Sequence, residues 1–160
     1  MMTSSTSSVD ETRSLGERLS AALTPGIVLV LIGGLGAGKT ALAQGIGRGL
    51  GVRDRITSPT FTMVATYPTS GRGGIEAMLH ADLYRVDSGV EADDLSIAEL
   101  VEEAAVAVVE WGDVAPDVLG DDRLVIRIDH GEGTDDRRFS FDCSSCRSLD
   151  DATLLEVLAP

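Results

Sequence analysis

The residue with the clearest chemical signal is Lys39, which lies in the glycine-rich segment 33–40. The segment reads GGLGAGKT and matches the pattern of glycine, any four residues, glycine, lysine and threonine that binds nucleotide phosphates. Lys39 is the only lysine in a chain with twelve arginines. A phosphate nested in backbone amides needs a compact point charge, which lysine supplies, whereas the planar fork of arginine suits bidentate carboxylate pairs. The sequence therefore predicts a nucleotide phosphate site at Lys39, with the Thr40 hydroxyl as a ligand for Mg²⁺.

Two acidic residues are candidates to complete a magnesium site. Phosphate chemistry on Mg²⁺ needs a carboxylate at the carboxyl end of a strand beside the loop, because a doubly wound sheet leaves the nucleotide there. Glu110 ends the apolar run 106–109, and Asp82 ends the run 78–81. From the residues alone, these two carboxylates compete for the metal.

A strand must precede the phosphate-binding loop and a helix must follow it. Residues 27–32, IVLVLI, are apolar on both faces, which is typical of a central parallel strand. After the loop, Leu42, Ile46 and Leu50 recur every four residues and form one helical stripe. Gly51 is placed to end that helix. The flanking elements therefore agree with the loop.

The rest of the chain alternates between helical and strand patterns. Helices are predicted over 9–23, 91–103 and 150–158, and strands over 61–67, 75–82, 104–109, 123–129 and 137–142. The last two strands are expected to form an antiparallel edge pair, and Leu154, Leu155 and Leu158 of the last helix are expected to be buried. The pattern predicts an α/β fold, a single-domain P-loop nucleotidase whose mainly parallel central sheet has flanking helices and antiparallel edge strands.

Length and composition suit one globular domain. The chain has 160 residues, of which 43% are hydrophobic, enough for a core of ordinary size. We expect residues 1–8 to be a disordered tail and residues 9–160 to form the P-loop domain. The tail has no basic region followed by an apolar stretch, and no apolar run approaches the roughly 20 residues that span a bilayer. A cytoplasmic protein without membrane contact is therefore expected.

The chain is strongly acidic, with a formal net charge of −13 and a pI near 4.4. Contacts to nucleic acid phosphates need clustered lysine and arginine side chains. The charge argues against nucleic acid binding by this chain alone, so any such role should run through partners.

Cys143 and Cys146 form a C-x-x-C pair. Zinc would need two further ligands, and the only histidines, His80 and His130, are scattered. A thioredoxin-like pair would open a helix after a strand, but residues 139–143 alternate as a strand that runs into a serine-rich turn. We interpret the pair as two ordinary thiols in a reducing compartment.

Four motifs make the chain resemble the bacterial TsaE family, formerly the YjeE type, the small ATPases of the tRNA threonylcarbamoyladenosine pathway. The motifs are the phosphate-binding loop at 33–40, SPTF at 58–61, HADLYR at 80–85 and VVEW at 108–111. Their order and spacing match across nearly the whole chain, and SPTF with HADLYR is far more selective than the loop. Gly34 departs from the family, which often carries aspartate there.

The resemblance implies a Mg²⁺-dependent ATPase with Lys39 in the phosphate cradle. Thr40 and Glu110 would hold the metal, Asp82 would orient or activate the attacking water, and Thr60 would sense the γ-phosphate. The implied nucleotide contacts are Thr12, Gly36, Ala37, Gly38, Lys39, Thr40, Ala41, Trp111 and Arg138.

Several of these contacts have a more specific implied place. Thr12 would lie near the adenine, and Trp111 would lie beside the nucleotide site. Arg137 or Arg138 would close over the nucleotide from the far side. His80 and Arg85 would support the site or meet a partner.

The resemblance also implies partners. The protein would act with TsaB–TsaD proteins, and its ATP hydrolysis would permit repeated threonylcarbamoyl transfer to adenosine 37 of tRNA, which it would meet only through those partners. Two alternatives stay open: a small P-loop kinase with Asp82 as the base toward a substrate hydroxyl, and a nucleotide-gated scaffold without turnover.

Overall fold

A mixed β-sheet forms the centre of the molecule. The computed structural model describes residues 1–59, 63–85, 97–102, 104–114 and 119–159. Its strands are β1 (Met2–Thr6), β2 (Val28–Ile32), β3 (Val64–Pro68), β4 (Ala77–Asp82), β5 (Ala105–Glu110), β6 (Arg123–His130) and β7 (Arg137–Ser145). Its helices are α1 (Val9–Ser20), α2 (Lys39–Gly49), α3 (Ile97–Val101) and α4 (Asp151–Leu158), with 3₁₀ turns at Arg72–Gly74 and Gly112–Val114.

The described strands form one sheet in the order β1-β7-β6-β2-β5-β4-β3. Strand β2 lies parallel between β6 and β5, and β5 lies parallel to β4. The pairs β1 with β7, β7 with β6, and β3 with β4 are antiparallel. A parallel centre with antiparallel strands at both sides confirms the predicted α/β class.

Side chains along the central strands alternate between two separate hydrophobic cores, one on each face of the sheet. Leu29 and Leu31 of β2 face the helices α1 and α2, whereas Val28 and Val30 face the side that carries α3. All six residues of β5 are buried, because the sheet is covered on both faces there. This explains why the sequence of the central strands reads as unbroken apolar runs.

Glycines let α1 and α2 pack with their backbones in contact. A Cβ at Gly45 of α2 would lie 2.0 Å from the Arg13 carbonyl oxygen, and one at Gly16 of α1 would lie 2.5 Å from the Leu42 carbonyl oxygen. Neither distance accommodates a side chain. The close contact holds α2, which begins at the phosphate-binding loop, firmly against α1.

The structure corrects the prediction that residues 1–8 are a disordered tail. Residues Met2–Thr6 form the edge strand β1, which pairs in antiparallel register with β7, with Met2 opposite Phe141 and Thr6 opposite Arg137. The open hydrogen-bonding edge of β7 supplies the partner that a polar segment lacks in isolation.

Two further expectations are changed by the structure. Strands β6 and β7 are antiparallel as predicted, but they are not the edge of the sheet, because β1 covers β7. In α4, Leu154 and Leu158 are buried, whereas Leu155 is 58% exposed, since this terminal helix packs through one face only. None of the helices in the described residues is long and apolar enough to cross a bilayer.

The C-x-x-C pair is also different from its prediction. Cys143 and Cys146 are joined by a disulfide, so the interpretation as two free thiols is wrong. The chain turns at the end of β7, where the Cys146 amide donates to the Cys143 carbonyl oxygen at 3.0 Å. This turn brings the two Cα atoms to 4.9 Å, within the usual range for a disulfide.

Candidate functional site

The carboxyl ends of three parallel strands meet at one edge of the sheet. Glu110 of β5 pairs with Leu31 of β2 on one side and with Asp82 of β4 on the other. The loop 33–38 leaves β2 at this edge and leads into α2. A cleft of about 400 Å³ lies between these elements, at the place where doubly wound sheets bind ligands.

The loop leaves the first turn of α2 open toward the cleft. Gly38, which precedes the helix, has φ +106°, a value that residues with a side chain rarely adopt. Within the described residues, no side chain caps this end of α2. The first backbone amides of the helix and its partial positive charge therefore face the cleft, which suits a phosphate.

Lys39 lies at the floor of the cleft and is 5% exposed. Its Nζ donates to the carbonyl oxygens of Gly33 and Gly34, both at 2.8 Å. The same Nζ lies 4.3 Å from the centroid of the Trp111 ring, a cation–π contact. The loop thus holds the ammonium at the point where the predicted phosphates would enter.

The charges around Lys39 oppose one another. Burial lowers the pKa of Lys39, whereas the negative charges of Glu110, Asp82 and Asp113 act to raise it. The pKa is lowered overall, so without a ligand the nearby carboxylates do not fully offset the cost of burying the ammonium. A further anion in the cleft would restore its preference for the charged form.

Glu110 is held through one of its two carboxylate oxygens. Thr40 Oγ1 donates to Oε1 at 2.9 Å, and His80 Nε2 lies 2.8 Å from the same oxygen. Glu110 is 3% exposed, so these contacts form away from solvent and are correspondingly strong. No donor among the described residues contacts Oε2, which leaves that oxygen for a cation.

His80 is fully buried beside Glu110. Its Nδ1 has no hydrogen-bond partner among the described residues. A carboxylate oxygen only accepts hydrogen bonds, so Nε2 carries a proton and donates to Glu110 Oε1.

Asp82 uses both of its carboxylate oxygens. Ser58 Oγ donates to Oδ2 at 2.8 Å, and the Tyr84 amide donates to Oδ1 at 2.9 Å. Asp82 therefore depends on two connecting segments, whereas Glu110 is bound by a helix and a strand.

Trp111 follows Glu110 in a backbone conformation that is unfavourable for a large side chain. Its φ is +60°, which costs on the order of 1 kcal/mol or more for a residue other than glycine. The Trp111 amide donates to the Leu31 carbonyl oxygen at 3.0 Å, and its ring lies 4.9 Å from that of Tyr84 between centroids. This conformation turns the indole over Lys39.

Of the two candidate arginines, Arg137 reaches the loop. Its Nε donates to the Ala37 carbonyl oxygen at 2.9 Å, and its Nη2 donates to the Gly36 carbonyl oxygen at 3.0 Å. Side chains alternate along β7, and Phe139 lies in the core beside α1 and α2, so Arg137 shares that face and Arg138 does not. The structure therefore places Arg137, and not the predicted Arg138, at the phosphate-binding loop.

Thr12 is buried on α1 close to the loop. Its Oγ1 lies 2.8 Å from Thr6 Oγ1, and its Cγ2 would lie 3.9 Å from a Cβ on Gly38. Thr12 is therefore a neighbour of Gly38 in the loop, and its place near the adenine stays a prediction.

Comparison with known proteins gives a family from the sequence and a solved structure with a similar fold. The family model described as "Threonylcarbamoyl adenosine biosynthesis protein TsaE" matches residues 6–139. The chain belongs to the TsaE family. Membership confirms the resemblance and places the chain in tRNA threonylcarbamoyladenosine biosynthesis.

Individual relatives agree with this membership. The TsaE of Streptomyces coelicolor is 43% identical over 122 residues, which are 76% of this chain and 80% of the relative. The TsaE of Bacillus subtilis is 36% identical over 132 residues, 82% and 79% of the two chains. The crystal structure of Bacillus subtilis YdiB superposes with a TM-score of 0.73 at 29% identity, covering 98% of this chain and 93% of the other.

The TsaE motifs converge on the cleft, with one part outside the described residues. The loop, HADLYR and VVEW supply Lys39, Asp82, Glu110 and Trp111 to a single site. Of SPTF, Ser58 reaches Asp82, whereas Thr60 lies outside the described residues and its γ-phosphate role stays a prediction. Cys143 and Cys146 follow the matched range 6–139.

Oxygen atoms of the kind that Mg²⁺ prefers come together at this TsaE site. Thr40 Oγ1 donates to Glu110 Oε1, and Asp82 is the neighbouring carboxylate, in register with Glu110. Within the described part of the chain, no three His, Cys, Asp or Glu side chains gather into a metal site. Magnesium needs no such cluster, because it commonly uses one or two carboxylates and completes its shell with water and substrate phosphates.

The resemblance implies that His80 supports the site, but the sequence did not specify its contact with Glu110, and it did not predict the contact of Ser58 with Asp82. A signal was present for His80, because it is a polar residue in an apolar strand, two positions before Asp82 and hence on the same face. Ser58 had no comparable signal, since its contact with Asp82 joins two segments 24 residues apart.

Proposed function

We propose that this TsaE family member is a Mg²⁺-dependent ATPase that supports threonylcarbamoyl transfer to adenosine 37 of tRNA by acting on a TsaB–TsaD complex. The observation that carries the proposal is the direct bond between Thr40 and Glu110, 2.9 Å long, beside the buried Lys39 at an uncapped helix end. This combination of a cation, unpaired backbone amides and a free carboxylate oxygen is suited to a nucleoside triphosphate with its metal.

The phosphate-binding part of the proposal rests on Lys39 and the first turn of α2. On binding, the Lys39 ammonium would exchange the carbonyl oxygens of Gly33 and Gly34 for phosphate oxygens. A second cleft, of about 340 Å³, is lined by Thr6, Arg137 and Arg138. It lies next to the loop and is the proposed place of the nucleoside.

The metal part rests on Thr40 and Glu110. When bound, Mg²⁺ would neutralise the charge that develops on the phosphates. Thr40 and Glu110 would hold it, and His80 would keep the Glu110 carboxylate oriented through Oε1, with Oε2 toward the metal. Asp82 would orient the attacking water and accept its proton, and Thr60 would contact the γ-phosphate.

Two features support action through protein partners. The net charge of −13 opposes direct binding of tRNA. At the rim of the cleft, Leu35 is 72% exposed and Tyr84 is 52% exposed. Apolar groups at the mouth of a site suit coverage by another protein.

Phosphate release tests the proposal. The full chain is assayed with ATP and Mg²⁺, alone and with purified TsaB–TsaD proteins, and tRNA modification is followed in parallel. We expect hydrolysis that the partners stimulate and more than one modification per TsaB–TsaD complex. ATP binding without phosphate release in the complete mixture would overturn the ATPase and leave a nucleotide-gated scaffold.

A further inference from the structure

The segment that leads to Ser58 is attached to α2 by a side chain. Gln44 donates from Nε2 to the Ile56 carbonyl oxygen at 3.0 Å. Among the described residues, residues 53–58 make no backbone–backbone hydrogen bond. The place of this segment therefore depends on its side-chain contacts.

The Ile56 side chain makes a second attachment to the same helix. It is buried in a notch that Gly47 leaves, since a Cβ at Gly47 would lie 2.1 Å from Ile56 Cδ1. Gln44 and Gly47 are three residues apart and share one face of α2 with Thr40, which precedes Gln44 by four. One face of α2 therefore contacts both Glu110 and the segment 53–58.

The orientation of the Gln44 amide is fixed by its neighbours. Arg13 Nε donates to Gln44 Oε1 at 3.0 Å, and Arg13 is itself paired with Asp10 at 2.9 Å. An arginine N–H needs an acceptor and a carbonyl oxygen needs a donor, so the amide oxygen faces Arg13 and the amide nitrogen faces Ile56. Glutamate has the same shape but would present an acceptor to the Ile56 oxygen.

The other end of the segment reaches the site. Ser58 lies two residues beyond Ile56 and donates to Asp82 Oδ2 at 2.8 Å. A shift of Ile56 would therefore move Ser58 and release one of the two bonds that orient the Asp82 carboxylate.

We infer that Gln44 is a positioning residue for hydrolysis: it fixes the segment 53–58 and, through Ser58, the carboxylate of Asp82. The inference rests on the proposed ATPase function. Within the described part of the chain, the hydrogen bonds of Gln44 join Arg13 and Ile56 and involve neither the loop nor Glu110, so its role concerns turnover rather than nucleotide affinity.

The kinetic test uses the full chain with TsaB–TsaD proteins and compares Gln44→Glu with wild type. We expect kcat to fall by about tenfold to a hundredfold, because small misplacements of a reacting group have effects of this size. The KM for ATP and the affinity for ADP should stay within about twofold, since the phosphate contacts are unchanged. Arg48→Met is the matched control: it lies one turn further along α2, its side chain is 56% exposed, and it should leave kcat unchanged.

A spectroscopic test needs no variant. The chain contains one glutamine and no asparagine, so the Gln44 side chain gives the only carboxamide N–H pair in a ¹⁵N-resolved spectrum. We expect the Gln44 amide proton that is hydrogen-bonded to the Ile56 carbonyl oxygen to exchange slowly with solvent. A pair that exchanges as fast as a free amide would overturn the inference, even if Gln44→Glu failed to fold.

The outcomes separate the two proposals. If wild type with its partners releases no phosphate, the ATPase function fails, and the positioning role fails with it. If wild type hydrolyses ATP and a folded Gln44→Glu has the same kcat, only the positioning role is overturned. A loss of kcat at constant ADP affinity, together with a protected amide proton, supports it.

Discussion

The Glu110 side and the Asp82 side of the site are built in different ways, although the two carboxylates end neighbouring strands in direct register. Glu110 is bound by Thr40 of α2 and by the buried His80 of β4. Asp82 is bound by Ser58 and by the Tyr84 amide, both in connecting segments. Regular elements prearrange the proposed metal side, whereas the proposed water side depends on a segment that side chains hold in place.

The largest expected effect lies on the Glu110 side. Glu110→Gln keeps the shape of the residue but removes the negative charge that would face Mg²⁺. We expect kcat to fall by about a thousandfold, because the lost interaction acts mainly on transition-state charge. ADP binding without metal, measured by calorimetry, should change little. Wild-type turnover in this variant would transfer the metal role to Asp82.

Asp82→Asn measures the other side of the comparison. The amide cannot accept the proton of the attacking water, so we expect kcat to fall by about a hundredfold, in line with the loss of a general base. The Mg²⁺ concentration needed for half-maximal phosphate release should stay as in wild type. If Asp82→Asn raised that concentration and Glu110→Gln did not, the two sides would have to exchange roles.

Arg137 and Arg138 form a matched pair for testing how firmly the phosphate-binding loop is held. This loop leads to Thr40, which contacts Glu110. Arg137→Met removes the donors to the Gly36 and Ala37 carbonyl oxygens. We expect ADP affinity to fall by about tenfold, the size expected for losing hydrogen bonds from a charged group. Arg138→Met, one residue along β7 on the opposite face, keeps both hydrogen bonds from Arg137 to the loop, and its loss of ADP affinity should be smaller. Equal affinities in the two variants would show that Arg137 does not support the loop.

The smallest expected effect is a pH dependence from Lys39. Burial lowers the pKa of Lys39, and phosphates bind its ammonium form, so ADP affinity should decrease severalfold as the pH rises through the alkaline range. Without ligand, the free energy of unfolding should increase as the pH rises from the lowered pKa of Lys39 to the pKa of an unfolded lysine. In that range the unfolded chain binds more protons than the folded chain. Denaturant titrations at several pH values should give a steeper rise of the free energy of unfolding with pH for wild type than for Lys39→Met. The same dependence on pH in both proteins would contradict the lowered pKa.

The strand, loop and helix around Lys39 were predictable because their determinants are local. The apolar run at 27–32 becomes β2 over Val28–Ile32, and the stripe of Leu42 and Ile46 becomes α2. Gly51, predicted to end that helix, has φ +78°. Each of these signals lies within a few residues of the structure that it specifies, so no knowledge of the tertiary fold is needed to interpret it.

The features that differ from prediction join distant parts of the chain. Strand β1 forms because β7 offers an open edge, which the sequence of residues 2–6 does not reveal. The choice between Arg137 and Arg138 depends on which face of β7 meets α1, and that follows from Phe139 only once the strand is placed. The contact of Ser58 with Asp82 depends on how residues 53–58 lie on α2, which no periodicity encodes.

The short edge strands of the sheet have a consequence for self-association. Strand β1 has only five residues, MTSST, and Met2 is its one large apolar side chain. Strand β3, at the other edge, ends at Pro68. Pro68 has no backbone N–H to offer, and a short polar strand is a poor template for a second molecule. Removal of residues 1–7 would uncover β7, a nine-residue strand that contains Phe139 and Phe141. We therefore expect the N-terminal segment to hinder edge-to-edge pairing between molecules, whatever its part in nucleotide chemistry.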